Sequence, residues 1–600
     1  MLPIVAGLVT AAVLIATAIP ALAQNPPAGG RQAITSAEQL PRRTVKLDKL
    51  PSQYLAAPKA EVQALADALE KNLRDDLARF DIQDQATQRE YYGALLTLAQ
   101  FKGDWKAVPE LVEKLKSLQD KPGSRATTGT LANILAEQQT DKRDAAWVRA
   151  EVRKRYSAMN WRDVGDNVKQ IKAQMELLNP ELLRGAFEQQ LDVMARNTNL
   201  DVPEGIVGAI VGARLQQELI VPLKADLVEA FQSVIDSRAA AAPKADLFAK
   251  RQFAIAPDAK ASEVTVGIWD SGVDLKLFKA APGQGIAFDK EGRPAKDLLR
   301  PLGEAEPRWP QLKQLVKGAM DLRAALDTED SRKLTAMVAG LKADQAKTFQ
   351  EDLSLVGLYT HGTHVAGIAV EGNPFARVFT ATMLWSHEIA PLKPSEELSR
   401  RVAAAYREIT KAFEAQGVRV VNMSWRYGAG AYEGALAYHN IGANGEERKK
   451  IARQLFAIER NALRNAIAFA DKILFIAGSG NEDNSADFEE YIPAGFTLPN
   501  LITVGAVDKA GEETSFSTSG KTVTVHANGF EVESFLPGGD RVKFSGTSMA
   551  SPQVANLAAK LFALKPSLTV SQVKEAILAG ADSRGRIDPR RSAELAGIKL

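Results

Sequence analysis

Apolar residues follow different rhythms in different parts of this chain. Residues 2–23 are almost unbroken in their apolar character. From about 50 to 240 the spacing is three to four: Val62, Leu65, Leu69, Leu73 and Leu77 form one such series, and Leu111, Val112, Leu115 and Leu118 another. That period places the apolar residues on one face of a helix, with charges on the others. Beyond 260 the pattern changes to short continuous runs rich in β-branched residues, at 264–269, 418–423, 473–477 and 501–507. A run with no polar alternation suits a strand covered on both faces. Helix-periodic stretches at 396–415, 448–471 and 551–564 separate these runs. Alternating strand and helix predict an α/β fold with a doubly wound, mainly parallel sheet, and function at the carboxyl ends of its strands.

Length and composition refine this picture. At 600 residues the chain exceeds one ordinary domain. The first 23 residues end in Ala21-Leu22-Ala23, which matches a secretory signal peptide. A membrane anchor is the alternative for a run of that length, but Pro20 and the small-residue ending favour cleavage after Ala23, leaving no anchor. Residues 24–45, with Asn25-Pro26-Pro27-Ala28-Gly29-Gly30, read as a flexible leader, and 46–240 as a helical N-terminal region. Ala239–Pro243 followed by Lys244 reads as a linker. The expected localisation is secreted or periplasmic. An exported chain without cysteine has no disulfides, and a thiol nucleophile or zinc–thiolate site is excluded. Seventy-five basic residues balance 73 acidic ones with no long run of either sign, so nucleic acid is not an implied partner.

Candidate chemistry concentrates after 260. Ser548, in Gly546-Thr547-Ser548-Met549-Ala550-Ser551-Pro552, stands where a small-residue loop enters a helix, with Pro552 read as part of its first turn. Helix N-termini present free N–H groups and favour negative charge, which suits a nucleophile whose transition state carries an oxyanion. A plain helix cap is the alternative. Asp270, directly after the run 264–269, could orient an imidazolium or simply make an Asp-Ser-Gly turn. Two of the five histidines, His361 and His364, occur in His361-Gly362-Thr363-His364, at the expected start of a small-residue helix. A metal pair is the competing reading, but the glutamate of a zincin helix is absent. Asn481, in Gly478-Ser479-Gly480-Asn481, could donate its amide to an oxyanion or cap a turn.

In order, Asp270, His361, Asn481 and Ser548 resemble the motifs of the subtilisin-like serine proteases over about 260–595, within a domain read as 260–600. The segments 420–424 and 502–508 are similar to the family as well. The resemblance implies a Ser548 nucleophile, His361 as general base and then acid, and Asp270 as its orienting group. It also implies an oxyanion hole of the Asn481 amide and the Ser548 N–H, substrate binding at Ser424 and Gly480, and a structural His364. Its implied substrate is protein or peptide, and no cofactor is required for the chemistry. Family members often bind calcium, but no calcium ligands can be assigned, and the acidic cluster at 482–490 reads as a solvated loop.

Departures from the family are also legible. Asp270 and His361 lie 91 positions apart, implying a charged helical insert at about 285–355, and a second extra stretch covers about 428–450. Trp425-Arg426-Tyr427 stands where glycines are usual and would narrow the pocket for the residue before the scissile bond. The helical N-terminal region is expected to be an autoinhibitory pro-segment, removed near 239–262, with a permanent accessory domain as its rival. A catalytically idle scaffold whose helices bind a partner is the alternative function.

Overall fold

Strands form where the continuous apolar runs lie. A computed structural model describes residues 30–238, 244–323 and 328–600. Its central sheet has eight strands in the spatial order Val523–Asn528, Leu501–Val507, Leu474–Gly478, Val418–Met423, Val264–Asp270, Ala376–Met383, Ala280–Phe288 and Pro294–Ala295. All neighbours are parallel except the last pair. Helices cover both faces. The helix Thr547–Leu564 packs one side with Val554, Leu557 and Leu561 fully buried, and Glu396–Ala415 and Gly445–Phe469 cover the other with Phe413, Phe456 and Leu463. Burial on both faces explains why these strands lack polar alternation. The sequence pattern passed over Ala376–Met383, whose interior Thr380 and Thr382 are polar yet fully buried.

Several boundaries differ from expectation. The leader predicted as flexible is structured from residue 30: Gln32–Ile34 pairs with Phe80–Ile82, and Thr44–Lys46 with Asp201–Pro203. Burial of Ile34 and Leu40 in the core of the helical region holds it there. The helical region thus carries short strands besides its helices. Residues 205–236, long and apolar enough by composition to cross a bilayer, belong in part to the protein core, where Ile206, Val207, Ile210 and Val211 are buried. The insert starts later than 285, because 280–288 is a sheet strand. Its helices Trp309–Arg323 and Glu329–Gly340 lead into one long helix, Ala346–Val370, which carries His361 in its middle rather than at its start. The upstream half is helical because Phe349 and Leu353 pack with Leu177 and Leu182 of the N-terminal region.

That shared cluster is one of several joins. Phe488 of the peptidase-like half lies in the apolar core of the N-terminal half. The acidic cluster read as a solvated loop is part of the same junction: Asp483 binds Arg89 and the buried Lys121, and Glu490 binds Arg453. The linker residues 239–243 and the expected signal peptide lie outside the described residues. Lys244, just after the linker, is tied to Asp508 at 2.6 Å and Asp166 at 3.5 Å.

Candidate active site

Asp270 ends the strand Val264–Asp270 and is fully buried. Its Oδ1 accepts from the Ser271 N–H at 2.7 Å and the Ser271 hydroxyl at 3.0 Å, and it faces His361 Nδ1 at 2.7 Å. A carboxylate only accepts, so Nδ1 carries the imidazole proton and Nε2 keeps a free lone pair. The imidazole side chain is 18% exposed, enough for Nε2 to meet a reactant. Gly362 permits this approach: a Cβ there would lie 2.2 Å from the Gly272 carbonyl oxygen. The sequence lists Gly362 as a motif residue, but only the packed turn shows what its missing side chain does.

Ser548 is the second residue of the helix Thr547–Leu564 and is half-buried. Its hydroxyl donates to the Ser424 carbonyl at 3.3 Å, and it is not hydrogen-bonded to His361. Ser424 itself is held by Asn422 Nδ2 and Ser551 Oγ, each at 2.9 Å, and its hydroxyl donates to the Ser548 carbonyl at 3.1 Å. Pro552 makes that last bond available. The helix begins at Thr547, so Pro552 lies more than a turn inside it, and its missing N–H leaves the Ser548 carbonyl without its usual helical donor.

Asn481 follows the strand Leu474–Gly478. Its Oδ1 accepts from the Thr547 N–H at 2.8 Å and the Thr547 hydroxyl at 3.2 Å. A backbone N–H can only donate, which fixes the amide orientation and frees Nδ2. Nδ2 and the Ser548 N–H nitrogen lie 3.4 and 3.7 Å from the point where a Gly546 Cβ would sit. Two N–H donors, the free Asn481 Nδ2 and the Ser548 backbone N–H, thus lie on the same side of the loop beside the serine. Gly480, expected to bind substrate, has both backbone groups engaged internally: its N–H donates to Thr547 Oγ1 and its carbonyl accepts from the Thr518 N–H.

Arg426 and Glu482 are ion-paired, joining the segment after Ser424 to the segment after Asn481, and Arg426 also lies over the Tyr491 ring at 5.5 Å. The pair stands against Gly480, where a Cβ would lie 2.8 Å from Arg426 Nε and 2.9 Å from Glu482 Oε2. His364 is fully buried, binds the Val542 carbonyl through Nε2 at 2.9 Å and stacks on Phe544. Burial pushes its pKa down to about 3, so it stays neutral. Among the described residues no group of three or more His, Asp or Glu is placed to hold a metal ion.

The sequence has counterparts among known proteins. The model of the subtilase family matches residues 261–594. Subtilisin of Bacillus pumilus is 38% identical over 109 residues, covering 18% of this chain and 39% of that protein. The thermophilic serine proteinase of Bacillus sp. (strain AK1) is 31% identical over 221 residues, 35% of this chain and 44% of that one. The chain thus spans less than half the length of these curated relatives. Among solved structures, a cold adapted subtilisin-like serine proteinase shares 18% identity over 57% of this chain and 94% of its own, with a TM-score of 0.34.

Proposed function

Because the chain belongs to the subtilase family, we propose that it is an exported serine endopeptidase, secreted or periplasmic, acting on protein or peptide substrates through an acyl-enzyme. In this reading Ser548 attacks the scissile carbonyl carbon while His361 Nε2 takes its proton. His361 returns that proton to the leaving amine, and Asp270 stabilises the imidazolium in between. The Ser548 N–H and the Asn481 amide stabilise the tetrahedral oxyanion. Water then repeats the sequence on the acyl-enzyme. Side chains and water suffice for these steps, and calcium is left unassigned. One observation carries the reading: the 2.7 Å contact of buried Asp270 with His361, on a sheet whose neighbouring strand exit seats Ser548.

A second reading, an idle scaffold whose helices bind a partner, draws on the Ser548 hydroxyl being bonded to Ser424 rather than to His361. Fluorophosphonate labelling separates the two. Wild-type protein is expected to label at Ser548 and hydrolyse casein, and Ser548→Ala to do neither. A folded wild type that fails to label would leave the scaffold reading.

For the N-terminal region we place the accessory-domain reading ahead of the removable pro-segment. Support comes from Phe488 and Phe349, which share apolar clusters with the helices of that region. Intact-mass measurement of exported protein tests both parts of the proposal. One uncut chain beginning at Gln24 is expected, whereas a mature form starting near 239–262 in wild type but not in Ser548→Ala would restore the pro-segment.

A further inference from the structure

A cavity of about 730 Å³ lies between the N-terminal helical region and the extra stretch after Tyr427. Its size falls within the range of about 300–1,000 Å³ typical of ligand sites. One wall is the helix Gln85–Lys102, the other the helices Ala429–Tyr438 and Gly445–Phe469. Gly93, Gly430 and Gly434 stand within these helices and line the cavity, and a Cβ built on any of them would meet nothing within 4 Å. Glycine inside a helix costs about 1 kcal/mol relative to alanine. No neighbour in the structure requires that cost at these positions. What the glycines do is keep volume open.

Most charges around the cavity are matched. Arg42 pairs with Glu433, Arg43 with Asp76 and Glu204, and Arg453 with Glu38 and Glu490. Three groups are left over. Arg448 is only 4% exposed, and its guanidinium has no hydrogen-bond or ion-pair partner; the nearest charges, Asp201 and Glu447, do not pair with it. Glu90 and Glu489 line the cavity from the two halves of the molecule, and neither carboxyl has a hydrogen-bond donor or cation paired with it among the described residues. Arg448 and Arg453 are five residues apart on one helix, about 7.5 Å along its axis, and Arg453 holds Glu490, the chain neighbour of Glu489.

From this cavity, with a lone buried cation and two unpaired carboxyls in its lining, we infer that the chain binds a short peptide with both termini free. The peptide carboxylate meets Arg448 and its ammonium meets Glu90 and Glu489. The apolar remainder of the lining accepts small side chains without selecting among them. Free peptides of this kind are what peptide-bond hydrolysis releases, but the site itself does not rest on the chemistry of Ser548. It is a binding site formed jointly by the two halves, and its lining does not include Asp270, His361 or Ser548.

Isothermal titration calorimetry of full-length Ser548→Ala protein, which cannot turn a peptide over under the proposed mechanism, tests this with trialanine, N-acetyl-trialanine and trialanine amide. Trialanine is expected to bind, and either capped form to bind at least tenfold more weakly. In an added Arg448→Gln background, trialanine should weaken at least tenfold while the amide, which has no carboxylate to lose, is unaffected. Gly434→Leu fills the cavity and should abolish binding while leaving the melting temperature equal or higher. Equal binding of free and capped peptides overturns the inference. So does trialanine binding that ignores both Arg448→Gln and Gly434→Leu, since that places the peptide elsewhere, including the cleft at Ser548. Absence of binding at millimolar trialanine overturns it as well. Fluorophosphonate labelling of wild type reads the peptidase proposal separately, so either can fail alone.

Discussion

At Gly362 a missing side chain decides how closely two functional groups approach. The helix carrying His361 passes so near the Asp270-Ser271-Gly272 turn that a methyl group would stand 2.2 Å from a carbonyl oxygen. Gly362→Ala must push the helix away and stretch the 2.7 Å contact between His361 and Asp270. A displacement of about 1 Å can cost about 10²-fold in rate. The expected result is a kcat lowered by about that factor with KM little changed, in a protein whose near-ultraviolet circular dichroism is retained. An unchanged kcat in the folded variant would show that this contact does not set the rate. At the neighbouring motif, Asn481→Leu removes Nδ2, one of two donors beside Ser548, and also the acceptor that holds Thr547. Loss of an oxyanion donor lowers kcat by about 10²–10³, which steady-state kinetics would read.

Between elements, the contact of the helix Gln85–Lys102 with the loop 481–490 is where the two halves exchange charge. Glu90 feels the charge of Glu489 there, with Asp84 and Arg89 also acting on the first and Asp84, Arg42, Glu433 and Glu490 on the second. Burial lifts both carboxyls above the usual 4.5, to about 8 and about 7. Between those values and 4.5 the folded state holds protons that the unfolded chain has released. The stability contribution is thus full below pH 4.5 and is lost progressively as pH rises to about 8. The melting temperature should fall between pH 6 and pH 9, and Glu90→Gln should flatten that fall. A wild-type profile that rises over this window would refute the assignment.

On the scale of the whole molecule, the two halves share apolar cores in addition to the ion pairs between them. Phe488 lies among the N-terminal helices, and Val338 and Phe349 pack with Leu177 and Leu182. Burying a side chain of this size contributes about 1.5–3 kcal/mol, a large fraction of the 5–15 kcal/mol that holds a typical domain folded. A chain starting at Lys244 is therefore expected to be aggregated or to lack a cooperative melt, as read by size exclusion and circular dichroism. A monomeric truncated chain melting within a few degrees of the full protein would show that the halves are independent.

The sequence alone determined four adjacent strands of the central sheet and the motif residues, because burial on both faces leaves continuous apolar runs and because each motif is local in the chain. The runs at 418–423 and 501–507 coincide with the observed strands, and Asp270 and Ser548 fall at a strand end and a helix start as their neighbours imply. Tertiary structure decided what depends on partners far away in the chain. The acidic residues at 482–490 read as solvated until Arg89, Lys121 and Arg453 are brought to them. The start of the His361 helix depends on apolar surface supplied by the other half, and the order of the leader from residue 30 on the core of the helical region that it folds back onto. Local pattern records whether a residue is to be buried. It does not record against what.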